Sequence, residues 1–307
     1  MKMLKRNLVM IVCCMFAIGL ITMTGCKKKD TIAADSDTSG ANDVSVAENT
    51  SNDVVNIGAQ ASEKGSTLSY REANDQGLFS CASVVIDSVV NRTITVTFNG
   101  STCLDGRTRS GSLVFNYSAS PASAKHYRDP GFTFTVTSQN YIVDGNQVNI
   151  INKTVTNTTP AGFNPSTTNE TWSISANISI IRASNAGTVT WTCNRTITLL
   201  NTASVYPMTD TIPGHNYSAI DWPMAKTQLD GTASGTRANG ETYTATATAM
   251  VRDFGGCNIA GRHPFISGEL DYSPSGKATR YINFGNGTCD LLATVTIYNV
   301  SYTITLP

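Results

Sequence analysis

Apolar and polar residues alternate with a period of two along most of the chain after residue 76. In Thr93-Ile94-Thr95-Val96-Thr97-Phe98, the residues Ile94, Val96 and Phe98 share one side, and residues 132–137 repeat the pattern. Successive side chains of a strand point to opposite faces, so each such segment buries one face and wets the other. The alternation recurs at 113–117, 172–180, 188–199, 243–251, 266–272, 281–284, 293–298 and 302–306. Asp144-Gly145, Asp230-Gly231, Asn239-Gly240 and Asn286-Gly287 read as the turns between strands. No segment of ten or more residues carries a helical period. The pattern predicts an all-β, antiparallel, sandwich-like body over 76–307. FNGSTCLDG at 98–106 echoes FGNGTCDLLA at 284–293, so two tandem β-domains with a boundary near 200–230 remain open beside one large sandwich.

The chain ahead of the body reads differently. Lys2, Lys5 and Arg6 precede an apolar run over 8–22, the order of a secretory signal, and residues 1–25 are expected to be that signal. Met23-Thr24-Gly25-Cys26 resembles the bacterial lipobox, with Met23 where leucine is usual. The resemblance implies that Cys26 is acylated, so that the membrane is a partner through a lipid. The expected location is the cell envelope, anchored to the outer membrane and facing the periplasm or the cell surface. Residues 30–75 hold nine acids against Lys64 and Arg71, with Tyr70 their first aromatic, which predicts a disordered acidic tether over 26–75. An outer-membrane barrel would need an apolar second face, whereas here that face is Thr, Ser and Asn.

Composition narrows the function classes. The formal charge is zero, with no basic cluster beyond residue 29, which excludes a nucleic-acid partner. Thr fills 42 positions and favours pleated, half-exposed strands over helix. With Cys13, Cys14 and Cys26 assigned to the leader and anchor, five cysteines remain. A hairpin over Asn91-Arg92, with Val90 facing Thr93, brings Cys81 opposite Thr102 and within one bulge of Cys103. Cys257 and Cys289 bracket a second hairpin joined by Ser273-Pro274-Ser275-Gly276. Two disulfides, Cys81 to Cys103 and Cys257 to Cys289, are therefore expected, as an oxidising compartment allows. No CxxC or HxxxH spacing accompanies His126, His215 and His263, so neither a metal nor a cofactor is expected. Asp35 to Gly40 opens like a calcium loop but meets Val46 where the bidentate glutamate belongs.

The candidate chemistry lies in loops. Arg107 and Arg109 in GRTRSG, with Tyr127, Arg128 and Asp129 in YRDPG, flank one strand and offer guanidinium forks and a stacking face to an anionic or hydroxylated ligand. An Arg to Asp bridge pinning two loops is the structural alternative. The irregular stretch 201–228 adds Tyr206, Tyr217 and Trp222 as aromatics that stack on sugar or protein. His215 with Asp210 or Asp221 supplies hydrolase residue types, but no nucleophile elbow accompanies them and the carboxylates of the body are scattered singly. The expectation is a recognition or structural lipoprotein, not an enzyme, binding glycan or protein; the alternative is a lipid-anchored hydrolase built around His215.

GRTRSG, YRDPG and the closing FGNGTCDLLATVTIYNVSYTITL resemble an uncharacterised Bacteroidetes-type lipoprotein family over most of the chain from about Cys81 to Pro307. That resemblance implies lipid anchoring and an all-β body, and names no ligand. It departs at Cys193 in WTCNRTIT, where a hydroxyl residue is expected, which marks Cys193 as the unpaired thiol.

Overall fold

A computed structural model describes residues 35–63, 81–103, 105–124, 126–205, 224–259 and 263–306. Contacts divide the chain into two units, Met1–Ser36 and Asp37–Pro307, and the second carries every element described. Its strands are β1 (Ala82–Asp87), β2 (Thr93–Thr102), β3 (Thr108–Asn116), β4 (Thr133–Val143), β5 (Asn146–Asn157), β6 (Glu170–Ile181) and β7 (Thr188–Leu199). They continue with β8 (Lys226–Thr236), β9 (Thr242–Asp253), β10 (Ser267–Pro274), β11 (Arg280–Asn286), β12 (Leu292–Ile297) and β13 (Val300–Thr305). All 13 lie in one sheet in sequence order, each antiparallel to the next. The sheet is an open, sandwich-like meander in which β1 pairs with β2 alone and β13 with β12 alone. β7 and β8 pair from Thr190↔Thr236 to Leu199↔Thr227, so no domain boundary falls at 200–230.

The alternation works as expected. On β6 the inward phase, Trp172, Ile174, Ala176, Ile178 and Ile180, is buried. The outward phase is laced by hydroxyl pairs such as Thr190 with Thr236 at 2.8 Å and Thr158 with Thr171 at 3.0 Å. Such cross-strand pairs each contribute a fraction of a kcal/mol.

Three local expectations are corrected. The first hairpin pairs Asp87 with Thr93 instead of Val90, because the Asp87 carboxylate accepts the Val89 and Val90 amides and holds them in the turn. Asp230-Gly231 is a bulge inside β8, not a turn: Gly231 takes φ +118° against Asn194 O, and Asp230 accepts the Ala249 amide at 2.7 Å. β5 and β8 were hidden by composition, since NQVNIINKTVTN and KTQLDGTASGT hold too few apolar residues to show a period.

The largest correction concerns the tether. Ser39–Glu63, expected to be disordered, form a helix of 25 residues, α1. At 1.5 Å per residue it is about 37 Å long, comparable with the strands around it. Ala41, Val44, Ala47, Val54, Val55, Ile57 and Ala61 are buried, and so are Ser45, Glu48, Ser51 and Asn52, so most of the helix is covered, while the stripe from Asn42 through Asn49 and Asn56 keeps some solvent access. The sequence is rich in Ser, Asn, Asp and β-branched residues, which are mediocre helix formers. Burial, not propensity, holds this helix. Gly58 permits close approach to the sheet: a Cβ there would lie 2.7 Å from Phe115 Cε1 and 3.0 Å from Phe134 Cζ. A short helix, α2 (Thr202–Val205), stands at the start of the stretch expected to be irregular, and a 3-10 turn spans Ala183–Asn185.

Candidate functional site

The acids of α1 are counter-ions for bases that the strands point inward. Arg109, on β3, shares the inward phase of Leu113 and Phe115 and is fully buried. Its Nη2 and Nε donate to Asp53 at 2.7 and 3.2 Å, and Nη2 and Nη1 donate to Asp105 at 2.6 and 2.9 Å. Arg107 lies 3.4 Å from Asp53 and donates to Asp144 at 2.8 Å. Burial pushes the Asp53 carboxyl up, but Arg107 and Arg109 outweigh it and hold it below the usual range. Farther along, Arg195 on β7 bonds Glu48, and Lys153 on β5 donates to Ser51 Oγ at 2.6 Å. Asp43 takes Arg182 at 3.3 Å and the Ala238 amide at 3.2 Å. Asp43, Glu48 and Asp53 are five residues apart, so each is rotated about 140° from the last and meets a different strand of the surrounding sheet.

The candidate ligand residues within the described chain are spent inside this interior. Arg107 and Arg109 pin α1 to two turns. Tyr127 is 3% exposed and stacks on Trp172, with ring centres 4.8 Å apart and planes within 6°. The Tyr127 amide donates to Ser62 Oγ at 3.1 Å, which ties the β3 to β4 loop to the end of α1. Arg128 and Asp129 are buried, and Asp129 accepts the His126 amide at 2.9 Å. Arg109, Tyr127, Arg128 and Asp129 are buried, and Arg107 is half-buried. Their presentation as exposed loop-borne binding residues is therefore corrected for Arg109, Tyr127, Arg128 and Asp129, and Arg to Asp bridging takes Arg107 and Arg109. Cys26, Tyr206, Asp210, His215, Tyr217, Asp221 and Trp222 lie outside the described residues.

The cysteine expectations hold. Cys81 and Cys103 form one disulfide and Cys257 and Cys289 another, while Cys193 is a buried free thiol. Among the described residues no group of three or more His, Cys, Asp or Glu is placed to hold a metal. No helix of the described residues is long and apolar enough to cross a membrane.

What sequence reasoning missed is a cavity of about 580 Å³ beside α1. One wall is the helix, through Ser45, Glu48, Asn52 and Gln60; the other is Met250, Arg252, Phe265, Leu270 and Phe284 from β9 to β11. Ser45 Oγ, Glu48 Oε2, Asn52 Nδ2, Gln60 Oε1 and Arg252 Nε are all buried there without a hydrogen-bond partner. Buried polar atoms are nearly always satisfied, so five orphans on one cavity mark a place where something else belongs. No signal in the sequence located it, because the helix that forms its polar wall read as tether. No protein family, curated protein or solved structure matches the chain.

Proposed function

We propose that this chain is a lipid-anchored envelope protein with a recognition role, held in the outer membrane through Cys26 and binding a small ligand in the cavity beside α1. The observation that carries the recognition reading is the convergence of five unpartnered polar atoms on one cavity of about 580 Å³ with an apolar back wall. Ligand sites share that size and that mixture of apolar lining with a few fixed polar groups. The anchor reading rests on the basic, apolar and Met23-to-Cys26 order of the leader, and two disulfides fit an oxidising compartment. α1 begins thirteen positions beyond Cys26, so the stretch between the proposed anchor and the first described helix is short in sequence. Replacing Cys26 by Ala tests the anchor: the variant should leave the detergent phase or stall in processing, and unchanged partitioning would sink that half of the reading. A small-molecule screen read by thermal shift tests the other half. A cavity ligand should raise the melting temperature in proportion to the logarithm of its concentration.

A further inference from the structure

The charges around the cavity identify what it holds. Its wall carries eight Asp, Glu, Arg and His side chains, and those of Glu48, Asp53, Asp105, Arg107, Asp144 and Arg182 are all in ion pairs with named partners. His263 is spent differently, with Nδ1 2.7 Å from Cys257 O. Arg252 stands apart. Its Nη2 donates to the neutral Asn49 Oδ1 at 2.9 Å, its guanidinium lies 4.0 Å over the Phe265 ring, and its Nε has no acceptor. A neutral amide and an aromatic face leave this half-buried guanidinium, whose Nε is fully buried, without a counter-ion in contact, and a charge withdrawn from water without one is costly. Burial pushes Arg252 down to about 10, with Glu48 and Asp53 only partly opposing.

The other orphans set the rest of the ligand. Glu48 Oε2 and Gln60 Oε1 accept only, Asn52 Nδ2 donates only, and Ser45 Oγ does either. Opposite them, Phe265, Phe284 and Leu270 offer hydrocarbon. We propose that the cavity binds a small amphipathic hydroxy acid: its carboxylate on the Arg252 guanidinium, its hydroxyl toward Glu48, Asn52 and Gln60, and its hydrocarbon against Phe265, Phe284 and Leu270. This deepens the recognition reading and rests on it. Arginine presents a fork that suits a carboxylate, and the charge-assisted bond formed in a dry site is stronger than one between neutral groups.

The test uses the intact chain with two probes, hydroxydecanoate and decanediol, which share hydrocarbon and hydroxyl but differ in the carboxylate. Hydroxydecanoate should bind about tenfold or more tightly than decanediol, and should shift the Arg252 Nε–H resonance while decanediol leaves it in place. Arg252→Met should lose that preference and keep the affinity for decanediol. If the variant fails to fold, the wild-type comparison and the Nε–H shift still decide. Equal binding of the two probes would overturn the acid and leave the cavity as a site for neutral amphiphiles. Binding of neither, with ordered water alone answering the orphan atoms, would overturn the acid and the recognition reading together.

Discussion

Asp53 and Arg109 stand 56 positions apart in sequence and are joined in the interior by two bonds, Nη2 to Oδ1 at 2.7 Å and Nε to Oδ2 at 3.2 Å. One belongs to a segment whose composition reads as solvated, the other to a strand. The pair therefore reports directly whether α1 lies inside the sheet. Removing one partner of a buried pair costs about 3 to 5 kcal/mol when the other charge is left uncompensated; here Arg109 keeps Asp105 and Arg107 keeps Asp144, so the loss is smaller. Asp53→Ala should lower stability by about 1 to 3 kcal/mol in urea unfolding, whereas Asp53→Leu with Arg109→Met should cost less than the two single changes added. A loss below about 1 kcal/mol for Asp53→Ala would place α1 outside the sheet. The acid limb gives a second readout. Because the folded carboxyl sits below its usual value, its stabilisation is present above the ordinary carboxylate range and disappears as pH falls through the folded value. Asp53→Asn should flatten part of the acid slope.

Lys153 supplies the alkaline counterpart. It is buried on β5 with Ser51 Oγ its hydrogen-bond partner, and burial pushes its ammonium down to about 8, with Cys193 and Glu48 only partly opposing. Between about 8 and the ordinary 10.5, the unfolded chain binds a proton that the folded one has lost, so stability rises with pH there, by up to roughly 3 kcal/mol. Cys193 has the opposite sign: burial pushes its thiol up to about 12, so the folded chain keeps a proton that the unfolded one loses above 9. Stability should climb from pH 8 to 9 and then level as the two effects oppose. Lys153→Met should remove the climb and leave the chain at least as stable at neutral pH. A flat wild-type profile from pH 8 to 9 would contradict the burial of a charged Lys153.

The disulfides give a covalent check. Cys81 to Cys103 and Cys257 to Cys289 close spans of 22 and 32 residues, each worth about 3 to 4 kcal/mol in the chain-entropy account. Non-reducing digests should yield these two linked peptides, and reduction should lower the unfolding midpoint. Cys193, 2% exposed, should react with iodoacetamide only under denaturing conditions. Its recovery in a native intramolecular bridge would overturn the pairing.

Most of the sheet is legible because period two is a geometric property of strands and survives weak composition. Trp172 to Ile180 needs no more than its alternation to become β6. The first hairpin shows where such reading stops: the pairing of Cys81 with Cys103 follows from proximity alone, but the register depends on the Asp87 carboxylate, which no periodicity encodes. α1 was illegible for a deeper reason. Its buried side mixes Ser45, Glu48, Ser51 and Asn52 with Val and Ala, so the apolar stripe of an ordinary amphipathic helix is blurred, and its acids look like solvated charge. A trace of it was nevertheless present in the strands. Arg109 is in phase with Leu113, Lys153 with Val155, and Arg195 with Trp191. Three bases on the inward phase of three strands demand buried acids, and the acidic stretch before the body is where they reside.

That dependence makes the sharpest prediction about domain limits. Composition places the start of the folded body at residue 76, yet a chain beginning there would lack Asp43, Glu48 and Asp53, leave Arg109 with Asp105 alone, and strip Arg195 of Glu48 and Lys153 of Ser51 inside the sheet. It would also lose the apolar surface of Val44, Val54, Val55 and Ile57, each worth about 1.5 to 3 kcal/mol when a whole side chain is buried. The summed deficit exceeds the net stability of an ordinary domain, about 5 to 15 kcal/mol. Residues 37–307 should therefore unfold cooperatively in urea, while 76–307 should be insoluble or lack a cooperative transition. A synthetic peptide of residues 37–63 added in trans should restore protection to the shorter chain, and the same peptide with Asp43, Glu48 and Asp53 changed to Lys should not. Cooperative unfolding of 76–307 alone, at a midpoint close to that of 37–307, would show that the sheet closes over its own charges and that α1 is an accessory.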